Sequence, residues 1–328
     1  MNRSSYPLGY NRWAQIFKDI RRELMSKEKI NEITRKVYHE QHKKIAEDQV
    51  SMERFMSMIN PEYFGVPEDY FIGKNILDAG CGDTAKLSIK FAKMGAKVTA
   101  CDLGNDFIEV AKNSAKRQGL EPDSIQFLSA NVESLPFKDS QFDFVCCHGV
   151  LLHLADFSQF EKAFSELARV TKTNGYLYTV FGIYGGFLED CIIPAARDYY
   201  NENPDFKKLI DNISPEEFGQ IFELIEKVST GFNIGLPIGK KKFQKLFDID
   251  FCVMLQNLLQ PPVRLKLNED YIKKCYKRES FQDVIRLRRF VKRQNVRMFT
   301  APLHYEHENP ISRIFYGSGN LEFLAKKL

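Results

Sequence analysis

Residues 76–84 read Ile-Leu-Asp-Ala-Gly-Cys-Gly-Asp-Thr, a short apolar run that ends in Asp78 and leads into a glycine-rich turn. The apolar run predicts a strand, and the residues after Thr84 have a helical pattern. Glycine at positions 80 and 82 lets the backbone turn sharply and approach a ligand closely. The stretch therefore predicts a strand–turn–helix unit of an α/β fold with a ligand at its turn.

Strands and helices alternate through the following hundred residues. The apolar runs predict five strands, at 75–78, 97–102, 125–128, 142–147 and 176–181. Helical patterns lie between them, near 84–94, 105–118 and 157–171. Strands alternating with helices of this length are typical of crossover connections and a parallel sheet.

Helical patterns flank this region on both sides. Residues 12–57 have apolar side chains at helical spacings, and residues 187–293 are mostly helix-patterned. Strand signals return around Val296–Thr300 and Leu321–Ala325. We therefore predict an N-terminal helical lid at 1–70, an α/β core at 71–186, an inserted helical cap at 187–293, and C-terminal strands at 294–328 that complete the sheet.

Composition restricts the class of protein. The net charge of +4 favours no particular partner, and no apolar run reaches the length of a membrane span. Residues 1–13 lack the apolar segment of a secretory signal. The seven cysteines form no C-x-x-C pair, which indicates reduced, buried thiols rather than disulfides or a zinc site. We expect a cytoplasmic protein without a metal, and the oligomeric state stays open.

Charge at the glycine turn separates two classes of ligand. Gly80, Gly82 and Ala85 match the G-x-G-x-x-G/A pattern of dinucleotide sites, and Asp102 at the end of the second strand is placed to bind a ribose. Asp78 and Asp83 flank the glycines, however, and their carboxylates would repel a pyrophosphate. S-adenosylmethionine (AdoMet) has no phosphate and carries a sulfonium and an ammonium, so this acidic turn favours AdoMet over NAD.

Residues 75–181 resemble the core of the class I AdoMet-dependent methyltransferases, the broad group that includes ubiquinone and menaquinone methyltransferases. The resemblance rests on residues 77–82, Asp102, and the segments 131–137, 142–145, 148–154 and 166–175. This sequence departs mildly from the family at Thr84, at Asn131 and at 173–175, where the family often has Gly, Asp and Pro-Gly-Gly. The resemblance implies a Rossmann-like sheet, AdoMet as cofactor, and transfer of its methyl group to an oxygen, nitrogen or carbon atom of a small molecule.

The resemblance also implies roles for single residues. The methionine part of AdoMet would lie against Asp78, Gly80, Cys81 and Gly82. Asp102 and Leu103 would hold the ribose and adenine, Asn131 and Val132 would border the adenine, and His148 and Val150 would line the far side near the reacting methyl group.

Three side chains are candidates for catalysis: His153, His148 and Tyr184. A histidine titrates near neutrality and can serve as a base for an acceptor that loses a proton. His153 is equally compatible with a core or helix-cap position, and Tyr184, just after the fifth strand, with simple packing.

The acceptor is the least determined feature. The fourth strand leads into Cys147-His148-Gly149-Val150, where enzymes that methylate base amino groups commonly have Asp/Asn-Pro-Pro-aromatic, so nucleic acid is an unlikely partner and a small molecule is favoured. Residues 273–297 hold ten basic and two acidic residues. They form either a solvated helix face or a surface for an anionic acceptor, RNA or a membrane. An RNA methyltransferase and a non-catalytic binding protein of the same fold remain the alternatives.

Overall fold

The sheet organises the molecule. The computed structural model describes residues 26–231, 238–288 and 295–328. Its sheet has seven strands in the order β3-β2-β1-β4-β5-β7-β6. Strands β1 to β5 pair in parallel, whereas β7 is antiparallel to both β5 and β6. The strands are β1 (Asn75–Ala79), β2 (Lys97–Asp102), β3 (Ile125–Ser129), β4 (Phe142–His148), β5 (Thr171–Ile183), β6 (Phe281–Arg286) and β7 (Asn320–Lys327).

The predicted Rossmann-like class I methyltransferase sheet is confirmed. All five predicted strands are present, and β5 begins earlier than predicted because Thr171 pairs with Phe142 ahead of a register shift. The three predicted helices are also present, as α4 (Lys86–Lys93), α5 (Asn105–Arg117) and α6 (Phe157–Val170). Because β1 to β4 are parallel and share one sheet, their carboxyl ends meet along a single edge.

Helices precede and interrupt the sheet. The N-terminal helices are α1 (Lys27–Glu47), α2 (Gln49–Met58) and α3 (Pro61–Phe64). Ser26 caps α1, and Asp48 ends α1 and caps α2, so a tight bend joins them. Between β5 and β6 lie a π-helical turn at Leu188–Ile192 and α7 (Ile193–Glu202), α8 (Pro204–Asp211), α9 (Pro215–Gly231), α10 (Lys240–Leu246), α11 (Ile249–Leu259) and α12 (Glu269–Arg278); α13 (Pro310–Tyr316) precedes β7.

The prediction of C-terminal strands was wrong in one position. Val296–Phe299 is a 3-10 helix, because the Asn295 side chain accepts a hydrogen bond from the Arg297 amide and caps the turn. The strand that pairs with β7 is β6, which lies inside the block predicted to be helical. β6 is an edge strand with only Phe281 fully buried, so it lacks the regular alternation that identifies a half-buried strand.

The two faces of the sheet carry separate apolar cores. One core contains α6, α12 and the side chains of Phe160, Phe164 and Tyr276. The other contains α2 to α4 and the side chains of Phe64, Phe71 and Phe144. A smaller cluster, including Tyr200 and Cys252, holds the helices between β5 and β6 together. Sheet and flanking helices therefore fix the position of the loops at the carboxyl edge.

Two sequence expectations concern the environment of the chain. Six cysteines are buried, whereas Cys191 is exposed, so the expectation of buried thiols fails at that position. Within the three described ranges, no helix combines the length and apolar character needed to cross a bilayer.

Candidate functional site

The glycine turn between β1 and α4 has a backbone that other residues would not adopt easily. Gly80 has φ +83° and Gly82 has φ +59°, both in the left-handed region. A Cβ at Gly80 would lie 2.3 Å from Cγ2 of Val150. The amides of Gly80 and Cys81 both donate to the Cys101 carbonyl, at 2.8 and 3.0 Å, which ties the turn to β2.

Asp102 lies at the end of β2 and faces this turn. One carboxylate oxygen accepts the Gly82 amide at 2.8 Å, and the other accepts the Leu103 amide at 2.7 Å. Burial raises the pKa of Asp102 to about 6, although both amide bonds oppose the rise. Each oxygen keeps a second lone pair, so the carboxylate can still accept two hydroxyl groups of a ribose.

Asp83 is a second carboxylate beside the turn. Its side chain is fully buried and lies 3.0 Å from Nδ1 of His39 on α1. Burial, followed by the charges of Asp102 and Asp106, raises the pKa of Asp83 to about 8. The site therefore concentrates carboxylates that repel one another, an arrangement that a cation would relieve.

A cleft opens at the carboxyl edge of the sheet, over the glycine turn. It encloses about 820 Å³ including its open mouth. Nine of the residues predicted for the site line the cleft, namely Gly80, Gly82, Asp102, Leu103, Asn131, Val132, His148, Val150 and His153.

Three predicted residues lie outside the cleft lining. Asp78 is buried behind the turn, where its carboxylate accepts hydrogen bonds from the Ser88 amide and hydroxyl and ties β1 to α4. Cys81 is buried, and burial raises its pKa well above the ordinary thiol value. Tyr184 follows β5, packs against the apolar core and exchanges backbone hydrogen bonds with Ser318 and Gly319. All three have contacts within the protein, and their predicted contacts with a ligand stay predictions.

Helix α1 forms the roof of the cleft, and the sequence did not reveal which of its residues line that cleft. Five of its residues line the cleft: Asn31, Thr34, Arg35, Tyr38 and His42. Their spacing of three or four residues places them on one face of the helix. Arg35 forms an ion pair with Asp106 of α5, so the roof is attached to the core on the side of Asp102.

Tyr38 and His153 meet in the lining of the same cleft. The Tyr38 hydroxyl lies 2.6 Å from Nε2 of His153, and Nδ1 of His153 lies 3.4 Å from the Val263 carbonyl. A proton on Nδ1 would serve that carbonyl and leave Nε2 to accept the tyrosine hydroxyl. Burial lowers the pKa of His153 to about 3 and raises that of Tyr38 above its ordinary value, so both groups are neutral.

Comparison with known proteins agrees with this arrangement. Residues 77–179 match the family described as a methyltransferase domain. A ubiquinone biosynthesis O-methyltransferase of Coxiella burnetii is 35% identical over 139 residues, 39% of this chain and 56% of that protein. A malonyl-[acyl-carrier protein] O-methyltransferase of Buchnera aphidicola is 38% identical over 196 residues, 54% of this chain and 75% of that protein. The Synechocystis magnesium protoporphyrin IX methyltransferase structure has a TM-score of 0.43 at 15% identity, covering 85% of this chain and 83% of that one.

The chain belongs to the class I AdoMet-dependent methyltransferases, whose cofactor is S-adenosylmethionine. It spans 56% of the length of the Coxiella relatives. The residues of the cleft fit this cofactor, because Gly80, Gly82 and the Asp102 carboxylate line it and the Asp83 carboxylate lies beside the turn. Among the residues that the structure describes, no cluster of three or more His, Cys, Asp or Glu side chains is arranged to hold a metal ion.

Proposed function

We propose that this protein moves a methyl group from AdoMet to an oxygen of a small-molecule acceptor. The observation that carries the proposal is a cleft lined both by the glycine turn with Asp102 and by Tyr38 with His153. The carboxylate side suits a cationic nucleoside, and the neutral side suits an uncharged reacting group. The two O-methyltransferase relatives support oxygen as the atom that receives the methyl group.

The cofactor side would bind through the residues that line it. Asp102 accepts the ribose hydroxyls, Asn131 and Val132 border the adenine, and Gly80 and Gly82 give the methionine part room along the turn. AdoMet supplies a methyl carbon already activated by its sulfonium leaving group. The protein therefore contributes mainly alignment of the acceptor and exclusion of water.

The acceptor would lie near Tyr38, beneath α1. Because Tyr38 donates its proton to His153, its oxygen is left to accept a hydrogen bond from another donor group of the acceptor. His153 has a pKa of about 3, so it orients Tyr38 and is a poor place to store a proton. His148 lies on the same cleft and is the better base.

The N-terminal helices would act as a lid, as the sequence suggested, and the helices between β5 and β6 would support it. Gln41 of α1 is hydrogen-bonded to Gln260, just after α11, and Arg54 of α2 lies 3.4 Å from Asp248, the cap residue of α11. The proposed cap at 187–293 thus acts by holding the roof of the cleft.

The basic stretch gives less support to an RNA substrate. Residues 289–294 lie outside the described ranges. Of the other basic side chains between 273 and 297, Lys273, Arg278, Arg286 and Arg297 form ion pairs with carboxylates of this chain. These pairs reduce the charge available to phosphates.

Calorimetry tests the cofactor. We expect the wild type to bind AdoMet and not NAD, and Gly80→Arg and Asp102→Ala to bind AdoMet at least about 100-fold more weakly. Asp123→Ala is the matched control, because Asp123 is an exposed carboxylate before β3, at the other end of the sheet. Unchanged affinity in the two site variants, or binding of NAD instead, would refute the assignment.

Methyl transfer tests the activity. The protein would be incubated with methyl-labelled AdoMet and a panel of phenols and carboxylic acids, the acceptor classes that the relatives' names suggest. We expect label in one class, and a loss of kcat of about 10- to 100-fold in Tyr38→Phe without weaker AdoMet binding. AdoMet binding without transfer to any acceptor would favour a non-catalytic binding protein.

A further inference from the structure

A buried carboxylate lies behind the cleft wall, on β7. Glu322 is fully buried. It accepts hydrogen bonds from three tyrosine hydroxyls: Tyr63 at 2.5 Å, Tyr305 at 2.7 Å and Tyr178 at 3.4 Å. A buried carboxylate without such partners would be strongly unfavourable, and this one is held by donors from α3, β5 and the turn before α13.

The sheet register connects this carboxylate to the cleft. His148 of β4 pairs with Val180 of β5, and Val180 pairs with Glu322 of β7. These three residues form one row across the sheet, and their side chains share a face. Tyr178 lies two residues before Val180, so its side chain shares that face. Its hydroxyl lies 3.4 Å from Nδ1 of His148 and bridges the histidine to Glu322.

The donors along this chain of contacts can be assigned one by one. The Tyr178 hydroxyl donates to the Glu322 carboxylate at 3.4 Å, and the Tyr63 hydroxyl, 3.2 Å from that of Tyr178, already gives its own proton to the same carboxylate. The Tyr178 oxygen is then an acceptor toward His148, and Nδ1 must carry the proton of that contact. The neutral imidazole has only one N–H, so Nε2 carries the lone pair.

We propose that Tyr178 and Glu322 are positioning residues that hold His148 as the Nδ1–H tautomer, with Nε2 as the base for methyl transfer. This inference rests on the proposed function. The acceptor O–H proton passes to Nε2 while the acceptor oxygen forms its bond to the methyl carbon and the carbon–sulfur bond breaks. The imidazolium that results keeps its Nδ1–H on Tyr178, and the Glu322 charge stabilises it through that hydroxyl.

Other groups lie around His148 and Tyr178. Phe55 of α2 makes an edge contact with the imidazole ring at 5.5 Å, and Lys86 lies 4.1 Å from the centre of the Phe55 ring. The Tyr63 hydroxyl of α3 lies 3.2 Å from the Tyr178 hydroxyl, and Tyr178→Phe removes this contact as well. The other titratable groups that line the cleft are Arg35, Tyr38, His42, Asp102, Glu133 and His153.

Nitrogen NMR of the histidine side chains tests the proposal on the whole protein. The chain has six histidines, and His148→Gln assigns the signal by its loss. We expect the wild type to show the Nδ1–H tautomer at His148. In Tyr178→Phe and Glu322→Gln we expect a shift toward the Nε2–H tautomer and a pKa lower by about one unit, which is a tenfold change in proton affinity.

Tyr305→Phe is the matched control. It removes a hydroxyl from the same carboxylate but leaves the Tyr178 bridge in place. If the network only stabilised the fold, the two tyrosine variants would have the same effect. An Nε2–H tautomer in the wild type, or an unchanged tautomer in Tyr178→Phe, would overturn the proposal, and the wild-type reading is decisive even if a variant fails to fold.

A second reading separates this inference from the proposed function. In the methyl-transfer assay, Tyr178→Phe should shift the acid limb of the pH profile of kcat to lower pH by about one unit, the same shift as in the histidine pKa. The affinity for AdoMet should not change. An unmoved limb would overturn the role of His148 as base while leaving the methyltransferase assignment intact. Failure of AdoMet to bind would instead remove the proposed function, whatever the tautomer.

Discussion

The two sides of the cleft respond to burial in opposite directions. On the side of the glycine turn, burial raises the pKa of Asp83 to about 8 and that of Asp102 to about 6. Under α1, burial lowers the pKa of both His42 and His153 to about 3. Both effects have one cause, since a low-dielectric site favours the neutral form of any group.

The difference lies in what could restore the charge. A bound sulfonium or ammonium would stabilise the carboxylates in their ionised form, whereas the described surroundings of His153 include Arg264 and Arg197, which oppose its protonation. Under the proposed function, the carboxylate side binds the cation, and the histidine side is a neutral chamber for the reaction. Each prediction below tests one side of this comparison.

The largest effect is expected at the turn itself. Gly80→Ala should weaken AdoMet binding by more than about 100-fold, because the new Cβ would meet Val150 and displace the turn. Gly119→Ala is the matched control: Gly119 has a similar φ of +78°, but nothing lies within 4 Å of a Cβ there. Both variants should lose about 1–2 kcal/mol of stability from the left-handed backbone. Calorimetry and urea unfolding measure the two quantities, and equal losses of affinity would mean that strain alone matters.

The sequence predicted the carboxylate side because its parts are local. Residues 76–84 form one turn, and Asp102 and Asn131 follow the ends of neighbouring strands in a parallel sheet. The carboxyl ends of parallel strands lie along one edge of the sheet regardless of the rest of the chain. The proximity of these residues could therefore be predicted from the order of the strands in the sequence.

The contacts on the histidine side could not be predicted in this way. Tyr38 and His153 are 115 positions apart and meet only because α1 crosses the open edge of the sheet. A polar face on an N-terminal helix looks the same whether it meets solvent or a cleft. Glu322 was missed for a similar reason, since only the register of β5 with β7 places it beside Tyr178.

The free energy of unfolding should fall at acidic pH because the buried histidines resist protonation in the folded state. A group with a lowered pKa in the folded state binds fewer protons there than in the unfolded chain, so stability falls as pH drops below about 6.5 and continues to fall toward 3. His153→Gln removes one such group. At pH 4.5 the protonation of His153 in the unfolded chain should lower the free energy of unfolding by about 2–3 kcal/mol, at about 1.4 kcal/mol per pH unit.

The measurement is the free energy of unfolding in urea at pH 7.5 and pH 4.5. The loss between the two values should be smaller in His153→Gln than in the wild type by that amount. The buried aspartates have the opposite sign, but they are common to both proteins and cancel in the comparison. Equal losses would show that His153 is protonated in the folded state, and the chamber would then not be neutral.

Cofactor affinity should titrate with Asp102. Its carboxylate must be ionised to accept hydroxyls and to favour a cation, so AdoMet affinity should fall by about tenfold per pH unit as pH drops below 6. Asp102→Asn should bind more weakly at pH 7 and lose this dependence, while Asp83→Asn should flatten only the part between about pH 6 and 8. Calorimetry at pH 5, 6, 7 and 8 separates the two groups. A pH-independent wild type would contradict the description of this side as a cation site.

The smallest effect is expected where the roof meets the carboxylate side. The Arg35–Asp106 pair is 34% and 40% exposed at its two side chains, and exposed ion pairs contribute only about 0.2–1 kcal/mol. Arg35→Met should therefore change AdoMet affinity by less than about fivefold, and the change should disappear in 0.5 M salt because such pairs are screened. Lys36→Met is the control, since it removes the same charge from the exposed face of α1. A loss above about 30-fold would mean that the roof, rather than the turn, supplies most of the affinity, and the division of the cleft into a binding side and a reaction side would fail.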